Sequence, residues 1–185
     1  MILFNGNGVI IIEQMTILLI WLFPIIFGIH DFEEIILIEK WVSKNKKDLM
    51  KILPIRASSF FEKNFAQKTN QFSLVVFVEF LLISLSTILV FLNGFNGGYK
   101  WLYLGLYSVF FLHSFTHIGQ TILFKRYTPG VITSILLNIP YGIWFYSVLL
   151  ENNTLVIRDI WMSILIGILL FALFFPALMK AASKF

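Results

Sequence analysis

Long apolar runs separated by short polar breaks make up almost all of this chain, and the run lengths predict its elements. A bilayer core of ~30 Å takes about 20 mostly apolar residues per helix, and five runs meet that length. The first begins near Val9 or Met15 and passes Ile29. The second covers about Phe72 to Leu92 and stops at Asn93-Gly94-Phe95-Asn96-Gly97-Gly98, a strong turn cluster. The third covers about Trp101 to Phe124, stopped by Lys125-Arg126. The fourth covers Gly130 to Leu150, stopped by Glu151-Asn152-Asn153. The fifth covers Ile160 to Met179. With no internal repeat and no low-complexity linker, residues 1–185 are expected to form one all-α, polytopic membrane helical bundle of five transmembrane helices.

Basic residues orient the bundle. Twelve of the 14 Lys and Arg fall between runs one and two, between three and four, or after five; only Lys100 and Arg158 fall on the other side. The positive-inside rule then predicts N-terminus out and C-terminus in. Most of these charges sit in a cytoplasmic loop at about residues 43–71, interleaved with Phe60, Phe61 and Phe65. That mixture suits a helix lying among anionic headgroups, and equally a solvated loop. Trp41, Tyr127, Tyr99, Trp101 and Trp161 read as interface anchors.

Composition strengthens the class without changing it. Of the 185 residues 58% are apolar and 13% charged, with mean hydropathy +0.86. Soluble domains average ~25% charged residues, so disordered, soluble-enzyme and nucleic-acid-binding classes all fit poorly. Cysteine is absent, which removes disulfides, thiolate metal sites and cysteine nucleophiles. No basic n-region or small-residue cleavage site opens the chain, so no removable signal peptide is expected. The expected location is a prokaryotic plasma membrane, with membrane lipids as surroundings, no nucleic-acid partner and an oligomeric state left open.

Chemistry is sought where the bilayer penalises it, since an ionisable residue in a span costs about 2.5–3.5 kcal/mol on insertion scales. All three histidines are such residues. His30, Glu33 and Glu34 stand at i, i+3, i+4 and share one helix face, with Asp31 about a quarter turn away at the edge. His113 and His117 share another face at i, i+4. Glu79 interrupts the second run. At ~1.5 Å per residue, His117 lies about 12 Å and His113 about 18 Å from the inner end of the third run. His30 lies about 15 Å deep, Glu33 and Glu34 about 10 Å, Glu79 about 12 Å and Asn138 about 13 Å. Four runs therefore bring polar groups to one slab of the inner leaflet. The matching slab of run five, Ile168 to Leu173, is wholly apolar, so that run packs or faces lipid.

Imidazoles and carboxylates together suit a divalent metal, zinc first, with iron or manganese as alternatives. Every Lys and Arg lies at an edge, so metal, protons or water must balance the buried acids. The metal ligands expected are His30, His113 and His117, completed from Glu33, Glu34 and Glu79. Any of these three glutamates left outside the shell is the catalytic base. Plainer roles exist for each piece. The His30 motif can end the first span at the water edge, His113 and His117 can bond between helices, and Glu79 can pack protonated. Pro24 and Pro140 read as tolerated kinks.

His30-Asp31-Phe32-Glu33-Glu34, a later histidine and Tyr127-Thr128-Pro129-Gly130, in that order, resemble the HXXEE-domain family of small prokaryotic membrane proteins. The resemblance covers most of the chain, from the first run to the start of the fourth. It implies that His30, Glu33 and Glu34 matter together with His117, or His113 in its place, and with the YxPG stretch; it implies no particular reaction. That stretch also has a structural reading: Thr128 caps the fourth helix, Pro129 opens it, Gly130 relaxes the turn and Tyr127 anchors at the headgroups. A sharper option sends Tyr127 into the pocket.

The functional expectation is a metal-dependent membrane enzyme, most simply a hydrolase of a lipid-like or membrane-embedded substrate. It parallels zinc proteases, where two histidines at i, i+4 hold the metal, except that no Glu separates His113 from His117. The alternatives are a proton- or cation-handling transporter or channel subunit, and a non-catalytic accessory protein.

Overall fold

A computed structural model describes residues 6–52, 69–95 and 97–184, with side chains from Glu13 onward. Among them are five helices and no strand: α1 (Gly6–Ile52), α2 (Thr69–Asn93), α3 (Tyr99–Phe124), α4 (Val131–Glu151) and α5 (Ile157–Ala182). Boundaries fall within about a turn of those the apolar runs predict, apart from the end of α1. The chain is an all-helical bundle in which α1, α2, α4 and α5 are long and apolar enough to cross a membrane. Helix α3 matches α5 at 26 residues, but its tyrosines, serines and two histidines make it less apolar. It is the central helix and touches each of the other four.

Helix α1 continues to Ile52, past the position near Ser43 where the sequence suggests a loop. Its 47 residues extend about 70 Å at ~1.5 Å each, more than twice a ~30 Å hydrocarbon core. The suggested headgroup segment with Phe60, Phe61 and Phe65 lies outside the described residues.

Both prolines are absorbed without breaking a helix. Pro24 has no N–H to offer the carbonyl of Ile20 one turn earlier. The Tyr103 hydroxyl of α3 donates to that oxygen at 3.3 Å, and Tyr141 of α4 donates to the neighbouring Leu19 oxygen at 2.7 Å. In α4 a π-helical turn, Ser134–Asn138, immediately precedes Ile139 and Pro140, and the Ile139 N–H bonds back to Ser134 O. The wide turn reconciles the ladder with a residue that cannot donate.

These tyrosines belong to an aromatic core. Phe23 meets the rings of Tyr103, Tyr107 and Phe110 at 5.4, 5.2 and 5.7 Å, and Tyr107 meets Phe145 at 4.0 Å. The Phe23 pairs with Tyr103 and Tyr107 are edge-on and the other two tilted; such ring pairs add about 0.5–1.5 kcal/mol each beyond burial. Helix α5 closes on α3 by a different device. Gly105 and Gly167 let the two backbones approach so closely that a Cβ on Gly167 would collide with the Gly105 carbonyl. Ser108 and Ser163 bond across the same seam at 2.7 Å, and Lys100 pairs with Asp159 at 2.7 Å. The far side of α5, including Ile168, Leu169, Phe171 and Leu173, is exposed, as its uninterrupted apolar sequence leads one to expect.

Candidate metal centre

The core ends where α1 and α3 exchange aromatic for polar residues. His30 follows Phe23 and Phe27 along one face of α1, and its ring stands edge-on to Phe110 at 5.5 Å. His113 and His117 continue the face of α3 that carries Phe110. Helical spacing then brings Glu34, one turn beyond His30, opposite His117. The result is one cluster: His30, Glu34, His113 and His117 each offer a ligand atom, and these atoms lie within 4.8 Å of one another.

Glu34 Oε1 is the hub. It lies 2.7 Å from His117 Nε2 and 3.5 Å from Nε2 of both His30 and His113. His113 Nε2 and His117 Nε2 are 2.8 Å apart. Three ring nitrogens of one kind therefore face a single carboxylate oxygen. Neither His30 Nε2 nor Glu34 Oε1 has a partner in hydrogen-bond geometry among the described residues. Buried polar atoms are normally satisfied, so two unpartnered atoms beside the bonded His113–His117 pair leave room for a shared positive centre. Ligands about 2.0–2.1 Å from a tetrahedral zinc ion stand about 3.3–3.4 Å apart, close to the separations from Glu34 to His30 and His113. His117 sits nearer, 2.7 Å from Glu34 and 2.8 Å from His113. The donor set fits a small divalent cation.

Burial is uneven around the cluster. His30 is 1% exposed, His117 4% and Glu34 7%. The His113 side chain is 42% accessible and forms the open side. The ion-pair partners of Glu34 are the imidazoles, while Lys100 and Arg126 pair elsewhere with Asp159 and Asp48.

Glu33 stands outside this group, although the sequence placed it among the ligands and catalytic carboxylates. Its Oε1 accepts the Tyr127 hydroxyl at 2.5 Å and the Ile132 N–H at 3.4 Å; its Oε2 accepts the Thr133 N–H at 2.9 Å and the Thr133 hydroxyl at 2.6 Å. Those amides belong to the first turn of α4, where backbone donors lack intrahelical acceptors. Glu33 thus caps α4 from α1. The cap expected from Thr128 is not made, because its hydroxyl turns to α3 and donates to His117 O at 3.2 Å. Tyr127 stays partly exposed, and its hydroxyl meets Glu33 rather than any of the four convergent side chains. Partial burial first, then its hydrogen bond to Glu33 and that residue's charge, raise the Tyr127 hydroxyl above the ordinary tyrosine range, which keeps it a donor.

The YxPG stretch also roofs the centre. Gly130 has φ +85°, and a Cβ there would lie 2.7 Å from His117 Cε1 and 2.8 Å from Glu34 Oε1. Two further groups missed by sequence reasoning belong here. Thr133 Oγ1 bonds His30 Nδ1 at 2.8 Å. Asp31, expected only at the edge, is 7% exposed, with Oδ2 unpartnered among the described residues. Thr133 gave no signal because its partners lie about a hundred residues away. Glu79 is half-buried on α2, within electrostatic range of Glu34, His113 and Asp31, and is not one of the four convergent ligands. Asn138 is 1% exposed in the π-helical turn, and its amide has no partner among the described residues.

Comparison with known proteins agrees with the motif. The model of the family described as "protein of unknown function with HXXEE motif" matches residues 21–145, a stretch that contains every residue of the cluster. The chain is also 27% identical over 165 residues to the uncharacterized protein YrkK of Bacillus subtilis (strain 168), covering 84% of this chain and 90% of that one. No solved structure matches. With His30 and Glu34 of the motif at one centre, Glu33 beside it against the first turn of α4, and a family model spanning most of its length, the chain belongs to the HXXEE-motif family.

Proposed function

We propose that this protein is a metal-dependent membrane enzyme that hydrolyses a lipid-like or membrane-embedded substrate, with the cation held by His30, His113, His117 and Glu34. The observation that carries this reading is the convergence of three imidazole Nε2 atoms on Glu34 Oε1. Zinc is the first choice for such a nitrogen-rich set, with iron or manganese next. When bound, the ion supplies Lewis-acid chemistry: it polarises a carbonyl or phosphoryl oxygen and activates water.

The chain's own residues supply the rest. His30 and His117 hold the buried side, and the accessible His113 leaves an approach from the bundle's flank. Glu79 and Asp31 lie beside the ligands, and a carboxylate in that position can take a proton from an attacking water. Exposed Phe32, Ile36, Leu112 and Phe115 make the surroundings apolar, which favours a substrate that arrives through the bilayer.

The test has two stages. Purified protein is assayed for bound metal beside His30→Ala and His117→Ala variants, then for metal-dependent hydrolysis of lipid and lipid-anchored peptide in vesicles. Metal in the wild type alone, with hydrolysis that a chelator stops, supports the proposal. Metal equally absent from all three proteins contradicts it.

A further inference from the structure

The hydrogen bonds around Thr133 permit only one direction of proton donation. The Thr133 hydroxyl has one proton and two oxygen acceptors in reach, Glu33 Oε2 at 2.6 Å and Gly130 O at 3.3 Å. Neither can donate to it, because a carbonyl never does and an ionised carboxylate only accepts. Glu33 already receives the Tyr127 hydroxyl and two backbone N–H groups, the environment of an ionised carboxylate. Thr133 therefore spends its proton on an oxygen and faces His30 Nδ1, 2.8 Å away, with a lone pair. His30 must donate from Nδ1. A charged ring would carry a second proton on Nε2 and donate it to Glu34. Nε2 lies 3.5 Å from Glu34 Oε1 without hydrogen-bonding it, so the ring is read as neutral, with a lone pair on Nε2.

We propose that Glu33 is a positioning residue that acts through the Thr133 hydroxyl, fixing His30 as the Nδ1–H tautomer with its Nε2 lone pair aimed into the centre. The two adjacent glutamates of the motif thus have separate tasks: Glu34 faces the imidazoles, and Glu33 orients one of them from behind while capping α4. Outer partners of this kind set both tautomer and ring direction of a metal-binding histidine. The ligand role of Nε2 rests on the proposed metal centre; the tautomer does not.

The test is nitrogen NMR of protein with labelled histidine in micelles, recorded without metal and with added zinc, beside Thr133→Val, Thr133→Ser and Glu33→Gln. Only three histidines are present, so variants of His113 and His117 assign the signals. The expected result without metal is His30 in the Nδ1–H form in the wild type and in Thr133→Ser, with that form lost in Thr133→Val. Zinc affinity is expected to fall about 10–100-fold in Thr133→Val and Glu33→Gln and to be retained in Thr133→Ser. His30 as Nε2–H in the wild type, or a tautomer indifferent to Thr133, overturns the inference even if zinc binds. A correct tautomer in a wild type that takes up no zinc leaves Glu33's role standing and removes the metal centre instead.

Discussion

Gly130 lies directly against His117: the space a Cβ would occupy is 2.7 Å from His117 Cε1 and 2.9 Å from His117 Nδ1. The turn before α4 is therefore part of the wall of the centre, and its glycine is required twice over. The left-handed backbone at φ +85° costs a side-chain-bearing residue about 1–2 kcal/mol, and the added methyl displaces the His117 ring or the Glu34 carboxylate. Gly130→Ala is expected to lower the thermal midpoint in detergent and weaken zinc binding at least 10-fold. Unchanged zinc affinity would mean that the roof is not coupled to the centre.

Tyr127 ties the same turn to α1 through Glu33 at 2.5 Å. Its hydroxyl meets a charged acceptor, a bond worth about 1.5–3 kcal/mol when well formed, and its 37% exposure argues for the lower end. Tyr127→Phe should loosen the turn, seen as faster proteolysis or hydrogen exchange at residues 125–130, and reduce metal affinity modestly. Because the hydroxyl's pKa is raised, the wild-type turn should keep its protection through mildly alkaline pH. Loss of that protection near neutral pH would contradict the assignment.

The seam between α3 and α5 provides a stability test remote from the centre. Gly167→Leu forces a branched side chain against the Gly105 backbone and the Val109 side chain. Overpacking of this kind costs about 1–3 kcal/mol. The expected outcome is a lower unfolding midpoint with metal stoichiometry unchanged in the folded fraction, measured by scanning fluorimetry and metal analysis. A folded variant without metal would show that α5 shapes the site after all.

Acid should empty the centre. Imidazole ligates only when its ligand nitrogen is free of a proton, so metal binding releases protons and affinity falls as pH drops through the histidine range, ~6.5 for an unperturbed side chain. Competition with a chelator across pH should show this dependence, steeper for the wild type than for His113→Ala because one fewer imidazole is involved. Affinity independent of pH would point to carboxylates alone as the ligands.

The helical architecture was legible in the sequence because the length of each apolar run and the polar break after it set where a helix starts and stops. The cluster was legible through local spacing: i, i+4 puts His30 with Glu34 and His113 with His117, and depth places both pairs in one slab. What spacing could not supply is rotation about the helix axis. Glu33 and Glu34 are both within a turn of His30, yet α4 packs on one side and α3 on the other, so the two carboxylates face different neighbours. Glu39 shows the same logic further along α1, where it accepts the N–H of Thr69 at the start of α2 at 2.8 Å. Capping across helices depends on which helix end lands beside a carboxylate, and nothing local encodes it. Asp31 was read as an edge residue because its angle on α1 points away from His30; it is buried all the same, within electrostatic range of Glu79 on α2.

The measurement that bears most directly on the account is metal content per chain, by elemental analysis of protein purified from membranes without chelator, for the wild type, Glu34→Gln and Glu33→Gln. One divalent ion per wild-type chain, lost in Glu34→Gln and held more weakly in Glu33→Gln, is the predicted result. A wild type that takes up no zinc, iron or manganese even when each is supplied in excess, and a Glu34→Gln variant indistinguishable from it, would contradict the central claim.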